Sequence, residues 1–312
     1  CISCGHCVIG CPFGAISDVS QIRDVVKAIK DKDRQVIAIP APAAEGQFGP
    51  NVTIGRLKTA LKKAGFDMVY ETALGGDLVS MHEAKELIEN KEAGRKMTTS
   101  CCPAFVNLIQ KHYPNLMEYV STTVSPMQGN VRYIYDKHPG AYVVFIGPCI
   151  AKKQEAEAMG APDAVMTFEE LQALFDALGV DPENCDEEME PDATSYGRRF
   201  SSTGGVSASV IKAASELGVE GIKARPAAGV KECKVALAML KAGKLPEDII
   251  EGMACENGCI SGPGSIALLA QLKAARLKKI KDKDDDSIGD MLKAMDAENV
   301  DMHRASFEPV QK

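Results

Sequence analysis

The sequence is missing most of what marks a nucleic-acid-binding, membrane-spanning or secreted protein. It has no excess of positive charge: 36 Lys and Arg stand against 43 Asp and Glu, a net charge of −7. No basic stripe is therefore on offer to a phosphate backbone, and no nucleic-acid partner is expected. Long apolar runs are absent too. Stretches such as "AYVVFIGPCIA" fall far short of the ~20 residues that cross a bilayer, so no membrane partner is expected either. No secretory segment is visible, and no repeat of fixed period runs through the chain. What is left is an ordinary globular composition, 45% hydrophobic and 25% charged over 312 residues, enough for one large core or two modest ones. A cytoplasmic location is the expectation.

Cysteine is the residue in surplus. Eleven are present, at 1, 4, 7, 11, 101, 102, 149, 185, 233, 255 and 259. A disulfide framework suits small secreted domains, which this is not. Clustered cysteines in an intracellular enzyme point instead to metal or redox chemistry.

From Arg34 onward, strand-like and helix-like segments alternate. "QVIAIPAP", "FDMVYET", "RKMTTS", "AYVVFIGP", "DAVMTF", "VEGIKAR" and "IIEGMAC" read as strands. "TIGRLKTALKKAG", "LVSMHEAKELIEN" and the stretches 168–178, 205–217 and 229–243 read as helices. Such alternation predicts an α/β fold of parallel sheets flanked by helices. "KKIKDKDDDS" reads as a solvated charged linker before a short final helix. Cys101, Cys149 and Cys255 each end an expected strand, with Cys259 in the following loop. That edge is where open parallel sheets bind ligands.

Residues 1–17 stand apart. "CISCGHCVIGCP" is C-x2-C-x2-C-x3-C-P, the bacterial ferredoxin run, in which Cys1, Cys4, Cys7 and Cys11 are candidate ligands of a [4Fe–4S] cluster. His6 reads as a solvated loop residue. In two-cluster ferredoxins the fourth Cys of each run serves the other cluster. Because the chain opens at Cys1 without Met, an upstream partner run is expected to be missing; a self-contained four-cysteine site is the alternative.

Three further segments, "TTSCCPAFV", "FIGPCIAKK" and "EGMACENGCISGPG", together with the ferredoxin run, resemble the catalytic domain of [FeFe]-hydrogenases over about residues 34–275. The resemblance implies two lobes of parallel sheet with the cluster between them. It divides the chain into a ferredoxin-like segment 1–33, a catalytic domain 34–275, and a charged linker and tail 276–312. It also implies an active-site cluster, the H-cluster: a [4Fe–4S] cubane on Cys102, Cys149, Cys255 and Cys259. Cys259 would bridge to a di-iron unit carrying CO, cyanide and an azadithiolate amine. Of the vicinal pair, Cys102 is then the ligand and Cys101 the thiol that passes protons to the amine. A thiol suits that role because its pKa is nearer neutrality than a hydroxyl's. Glu83 and Glu86, at i and i+3 on one helix face, match the family's relay carboxylates, and Ser121 the hydroxyl between them. Lys152 matches a donor to cyanide, Pro42 the cyanide-pocket proline, and Met253 and Phe200 apolar residues against the di-iron unit.

The chain departs from well-studied members at Ala43, often Ser, at Gly147, often Met, and at Met127, often Gln. Asn90 stands at the outer end of the relay, where Arg is frequent, and "SGPGS" replaces a Gly-rich Gln-Pro ending. "TSCCPAF", "STTVSPMQ" and "AGVKECK" resemble the group B branch. Cys185 and Cys233 match no ligand position and read as structural thiols. The resemblance implies reversible reduction of protons to H2, with ferredoxin or another redox partner and with maturation enzymes for the di-iron unit. Two other classes stay open: an H2-sensing module, and an iron–sulfur assembly factor of the same family. The sensor commonly lacks the relay Cys and carries signalling domains. The assembly factor usually has Ser where Cys101 stands.

Overall fold

The segment "VIAIP" is apolar without alternation, and such a strand is stable only when covered on both faces. The computed structural model, which describes residues 1–188, 190–273 and 286–305, buries all five of its residues. Among the described residues the strands are β1 (Val36–Pro40), β2 (Met68–Val69), β3 (Met97–Thr98), β4 (Tyr142–Ile146), β5 (Ala164–Met166), β6 (Ala224–Ala228) and β7 (Ile249–Met253). They form two sheets, ordered β2-β1-β4-β5 and β3-β7-β6. Every pairing between these strands is parallel, so the chain has the α/β class expected, with helices making the crossovers.

One strand starts later than its sequence suggests. "VEGIKAR" contributes little, and β6 begins only at Ala224. Gly218 and Gly221 both have positive φ, at 85° and 73°, and turn the chain before pairing starts. β6 is an edge strand, which tolerates Pro226 and its missing N–H.

Three helices not anticipated above follow the chemistry-bearing loops directly: Pro103–His112, Pro126–Lys137 and Ala151–Met159. The first two carry Pro in their first turn, where its missing N–H costs nothing. Cys102 is the N-cap of the first, and the Ser125 side chain caps the second by accepting from Gln128 N. The longest helix, Thr72–Glu92, is buried on nearly all sides over its first half. Gly75 and Gly76 are responsible for that fit. A Cβ on Gly75 would lie 1.9 Å from the Pro126 carbonyl oxygen, and one on Gly76 would lie 3.0 Å from that of Gly197.

The final short helix stands at Ile288–Ala294, N-capped by Ser287. Most of the expected charged linker before it, 276–285, lies outside the described residues. Beyond that helix the chain returns to residues 122–124. Val124 N donates to Met302 O at 2.8 Å, Arg304 N to Thr122 O at 2.7 Å, and Thr123 and His303 form an antiparallel bridge.

Candidate metal centre

Cysteines from both sheets meet at the carboxyl ends of their strands. Cys101 and Cys102 follow β3, Cys149 follows β4, and Cys255 and Cys259 follow β7. Cys102, Cys149, Cys255 and Cys259 line one small cavity of about 20 Å³. Adjoining it is a second cavity of about 80 Å³, which shares Cys102, Cys149, Cys259 and Met253 and adds Cys101, Pro42, Phe200 and Lys152. Three motifs far apart in the sequence are thus brought to one place.

The donor set fits an iron–sulfur group. Soft thiols without hard oxygen ligands suit iron–sulfur clusters or zinc. Among the described residues, no three His, Cys, Asp or Glu side chains converge closely enough to hold a single ion. Burial pushes the Cys149 thiol up to about 11, with Cys102 adding to it. Burial raises Cys255 further still, with Cys149, Cys259 and Cys102 contributing. Thiols crowded together in this way resist ionising on their own and would give up their protons to a cationic metal group, which deprotonates a coordinating thiol.

Cys4 of the N-terminal run lines the smaller cavity as well. Gly5 allows this approach: it has φ 77°, and a Cβ there would sit 2.5 Å from Pro263 Cγ. Cys1 and Cys7 are exposed, Cys4 and Cys11 half-buried. Cys11 accepts from Ala15 N at 3.4 Å, and backbone N–H groups of Phe13 and Ala15 hold its thiol below the usual range. His6 is exposed, with Nδ1 3.3 Å from Cys4 Sγ.

Leading away from the larger cavity is a line of ionisable and hydroxyl groups. Cys101 is buried, and burial raises its thiol well above the usual value, with the Glu83 charge next in weight. Without water around it, the sulfur keeps its proton. Glu83 is fully buried. Its Oε1 accepts from Ser100 N at 3.1 Å, and burial drives its carboxyl up to about 8, against the Ser100 and Ser121 hydrogen-bonding groups that lower it. Ser121 Oγ donates to Glu86 Oε2 at 2.7 Å, and half-buried Glu86 also accepts from Thr122 N at 3.0 Å. Asn90 does not extend the line; its Nδ2 donates to Met97 Sδ at 3.6 Å.

Lys152, at the cavity wall, is held from behind. Its Nζ is 2.5 Å from Glu155 Oε2 and 3.5 Å from Cys101 O. Ser125 Oγ donates to the same Glu155 oxygen at 3.1 Å, and Arg304 lies 3.9 Å from Glu155 Oε1. Sequence reasoning missed Glu155, although its i, i+3 spacing from Lys152 was visible. Arg304, 149 residues further along, gave no local signal. The bulk absent at Gly147 is supplied by its neighbour: a Cβ there would fall 2.7 Å from the Phe145 ring, which lines the cavity. Cys185 and Cys233 donate to backbone carbonyls, Cys185 to Asp181 O and Cys233 to Ala227 O and Met253 O, each at 3.4 Å.

Residues 34–263 match the family model described as iron only hydrogenase large subunit, C-terminal domain. The periplasmic [Fe] hydrogenase large subunit of Nitratidesulfovibrio vulgaris is 31% identical, over 82% of this chain and 74% of that protein. The NADP-reducing hydrogenase subunit HndD of Solidesulfovibrio fructosivorans is 30% identical over 85% of this chain. This chain spans about half of that subunit's length, 55%. A probable cytosolic Fe-S cluster assembly factor of Aedes aegypti is 24% identical over 85% of this chain and 71% of its own. Among solved structures, an [FeFe]-hydrogenase of Chlamydomonas reinhardtii superposes with a TM-score of 0.73 at 22% identity, covering 94% of this chain and 96% of that one. No helix among the described residues is long and apolar enough to cross a membrane.

Proposed function

The chain belongs to the iron-only hydrogenase large-subunit family, and on that premise we propose that it catalyses the reversible reduction of protons to H2. The observation that carries this reading is the buried Cys101 thiol, which lines the larger cavity at the head of the Glu83, Ser121 and Glu86 line. Cys102, Cys149, Cys255 and Cys259 would hold a [4Fe–4S] cubane, with Cys259 also bearing a di-iron unit. That group, when bound, would supply the redox chemistry that interconverts protons and H2, and the protein would orient it and exclude water.

The chain's own residues then manage protons and charge. Glu86, at the half-exposed end, takes a proton from solvent and exchanges it through the Ser121 hydroxyl. Glu83 is neutral at pH 7 because its burial favours the uncharged form, so it holds a proton inside the protein where a carboxylate would be costly. Cys101 hands that proton to the cavity and is recharged from the Glu83 side. Lys152, backed by Glu155, presents a positive charge to ligands of the di-iron unit. Pro42, Met253 and Phe200 keep the remaining wall apolar and water out. Cys1, Cys4, Cys7 and Cys11 would carry a [4Fe–4S] cluster that delivers electrons from ferredoxin or another redox partner, and Cys4's place at the cubane cavity supports that order.

A second reading has a specific observation in its favour: the relatives include iron–sulfur assembly factors matched over 85% of the chain. Such a scaffold has no need of a proton line ending at a buried thiol. Infrared spectroscopy of the chain, produced with di-iron maturation enzymes, separates the two. CO and cyanide stretching bands are expected from a hydrogenase. Their absence, with the cubane present, would support the scaffold.

A further inference from the structure

The wall of the larger cavity is apolar except at a few positions. Ala43 and Met127 line it and bring no polar side-chain atom. Thr72 Oγ1 donates to Ile39 O at 3.0 Å, and Lys152 is engaged by Glu155. Ser201 is different. It is 2% exposed and lines the cavity, and its Oγ has no hydrogen-bond partner. Among the described residues it is the one cavity-lining serine or threonine oxygen in that condition.

The position of this hydroxyl is tightly fixed. Ser201 O accepts from Ile260 N at 3.1 Å, which ties it to the residue after Cys259. The following turn is clamped by Glu251, fully buried on β7, which accepts from Gly204 N, Ser207 N and Ser207 Oγ, each at 2.7 Å. A rigid backbone holding an unsatisfied buried donor is an unfavourable arrangement in an empty chain. It becomes favourable when an acceptor occupies the cavity.

We propose that Ser201 Oγ–H donates a hydrogen bond to an acceptor ligand of the group bound in this cavity. The role rests on the hydrogenase reading, under which that ligand is a cyanide of the di-iron unit. Lys152 reaches the same space from β4's side, while Ser201 reaches it from the loop beside Cys259. Ser201 is therefore a second polar anchor, built where the rest of the wall has lost polar atoms.

The test uses the parent chain, Ser201→Ala and Ser201→Thr. In the cluster-free chain, Ser201→Ala removes an unsatisfied hydroxyl, so its melting temperature should rise by about 2 °C. A residue that merely supports the fold would show a fall. In the matured chain, Ser201→Ala should shift a cyanide stretching band and lower activity about tenfold, as loss of an outer partner commonly does. Ser201→Thr, which keeps the hydroxyl, should restore both. Cyanide bands identical in parent and Ser201→Ala overturn the role alone, leaving the hydrogenase reading intact. Lack of CO and cyanide bands in the parent chain refutes that reading and this role with it. Failure of Ser201→Ala to fold contradicts the premise that the hydroxyl is unsatisfied.

Discussion

Replacing Glu83 by Gln separates what this carboxyl does for stability from what it does for protons. The side chain is fully buried, and its carboxyl stands at about 8 against an ordinary 4.5. A displacement of that size corresponds to roughly 5 kcal/mol of folding free energy between the neutral and ionised limits. The sign follows from the raised value. The folded chain keeps a proton that the unfolded chain gives up, so Glu83's contribution is fully present below pH 4.5 and is lost as pH rises through 8. Gln mimics the neutral form at every pH. Parent and Glu83→Gln should be similarly stable near pH 4.5, and the variant should gain on the parent by up to ~1.4 kcal/mol per pH unit through that window. Asp77 and Asp192, also driven up to about 7 by burial, cancel in the difference because both proteins have them. Urea unfolding of the cluster-free chains at several pH values measures this directly. At the same time Gln cannot release a proton, so H2 evolution should fall by about 10²–10⁴-fold. A stability difference that is flat from pH 4.5 to 8 would refute the burial argument, and undiminished turnover would remove Glu83 from the relay.

Cys101→Ala should keep the cubane and the infrared bands while turnover falls by about 10²–10⁴-fold; Cys102→Ala should lose the cluster, and the reverse pattern in paired infrared and rate measurements would mean the two cysteines are exchanged. Cys259→Ser should abolish the di-iron bands, and a variant retaining them at normal activity would remove Cys259 as the bridge. Gly252→Ala puts a Cβ 2.3 Å from the Phe105 ring and should cost about 1–3 kcal/mol in denaturant unfolding, with an unchanged midpoint counting against that contact.

Legibility from sequence followed locality. β1, β4 and the helix Phe168–Leu178 stood out because a short apolar run or helical spacing of apolar residues announces itself within a few residues; the Thr167 and Glu170 capping box seen in the structure is equally local. The strand ends that carry Cys101, Cys149 and Cys255 followed from the same segments. β6 was misplaced because an edge strand interrupted by Pro226 has no clean alternation to read. The helices starting at Pro103, Pro126 and Ala151 are short and follow their loops directly; two announce themselves mainly by a Pro in the first turn, and the third has no side-chain cap. The partners that complete the site were least visible. Ser201, Glu251 and Arg304 meet it only through tertiary packing, and no residue adjacent to any of them hints at an unsatisfied hydroxyl, a buried clamp or a distant guanidinium.

The central claim is that this cavity turns over H2, and the most direct measurement is isotope exchange. Matured chain under D2 in ordinary water should release HD and H2, detected by mass spectrometry, with the rate collapsing in Cys101→Ala while its infrared bands persist. A matured parent chain that shows CO and cyanide bands yet forms no HD would contradict the claim.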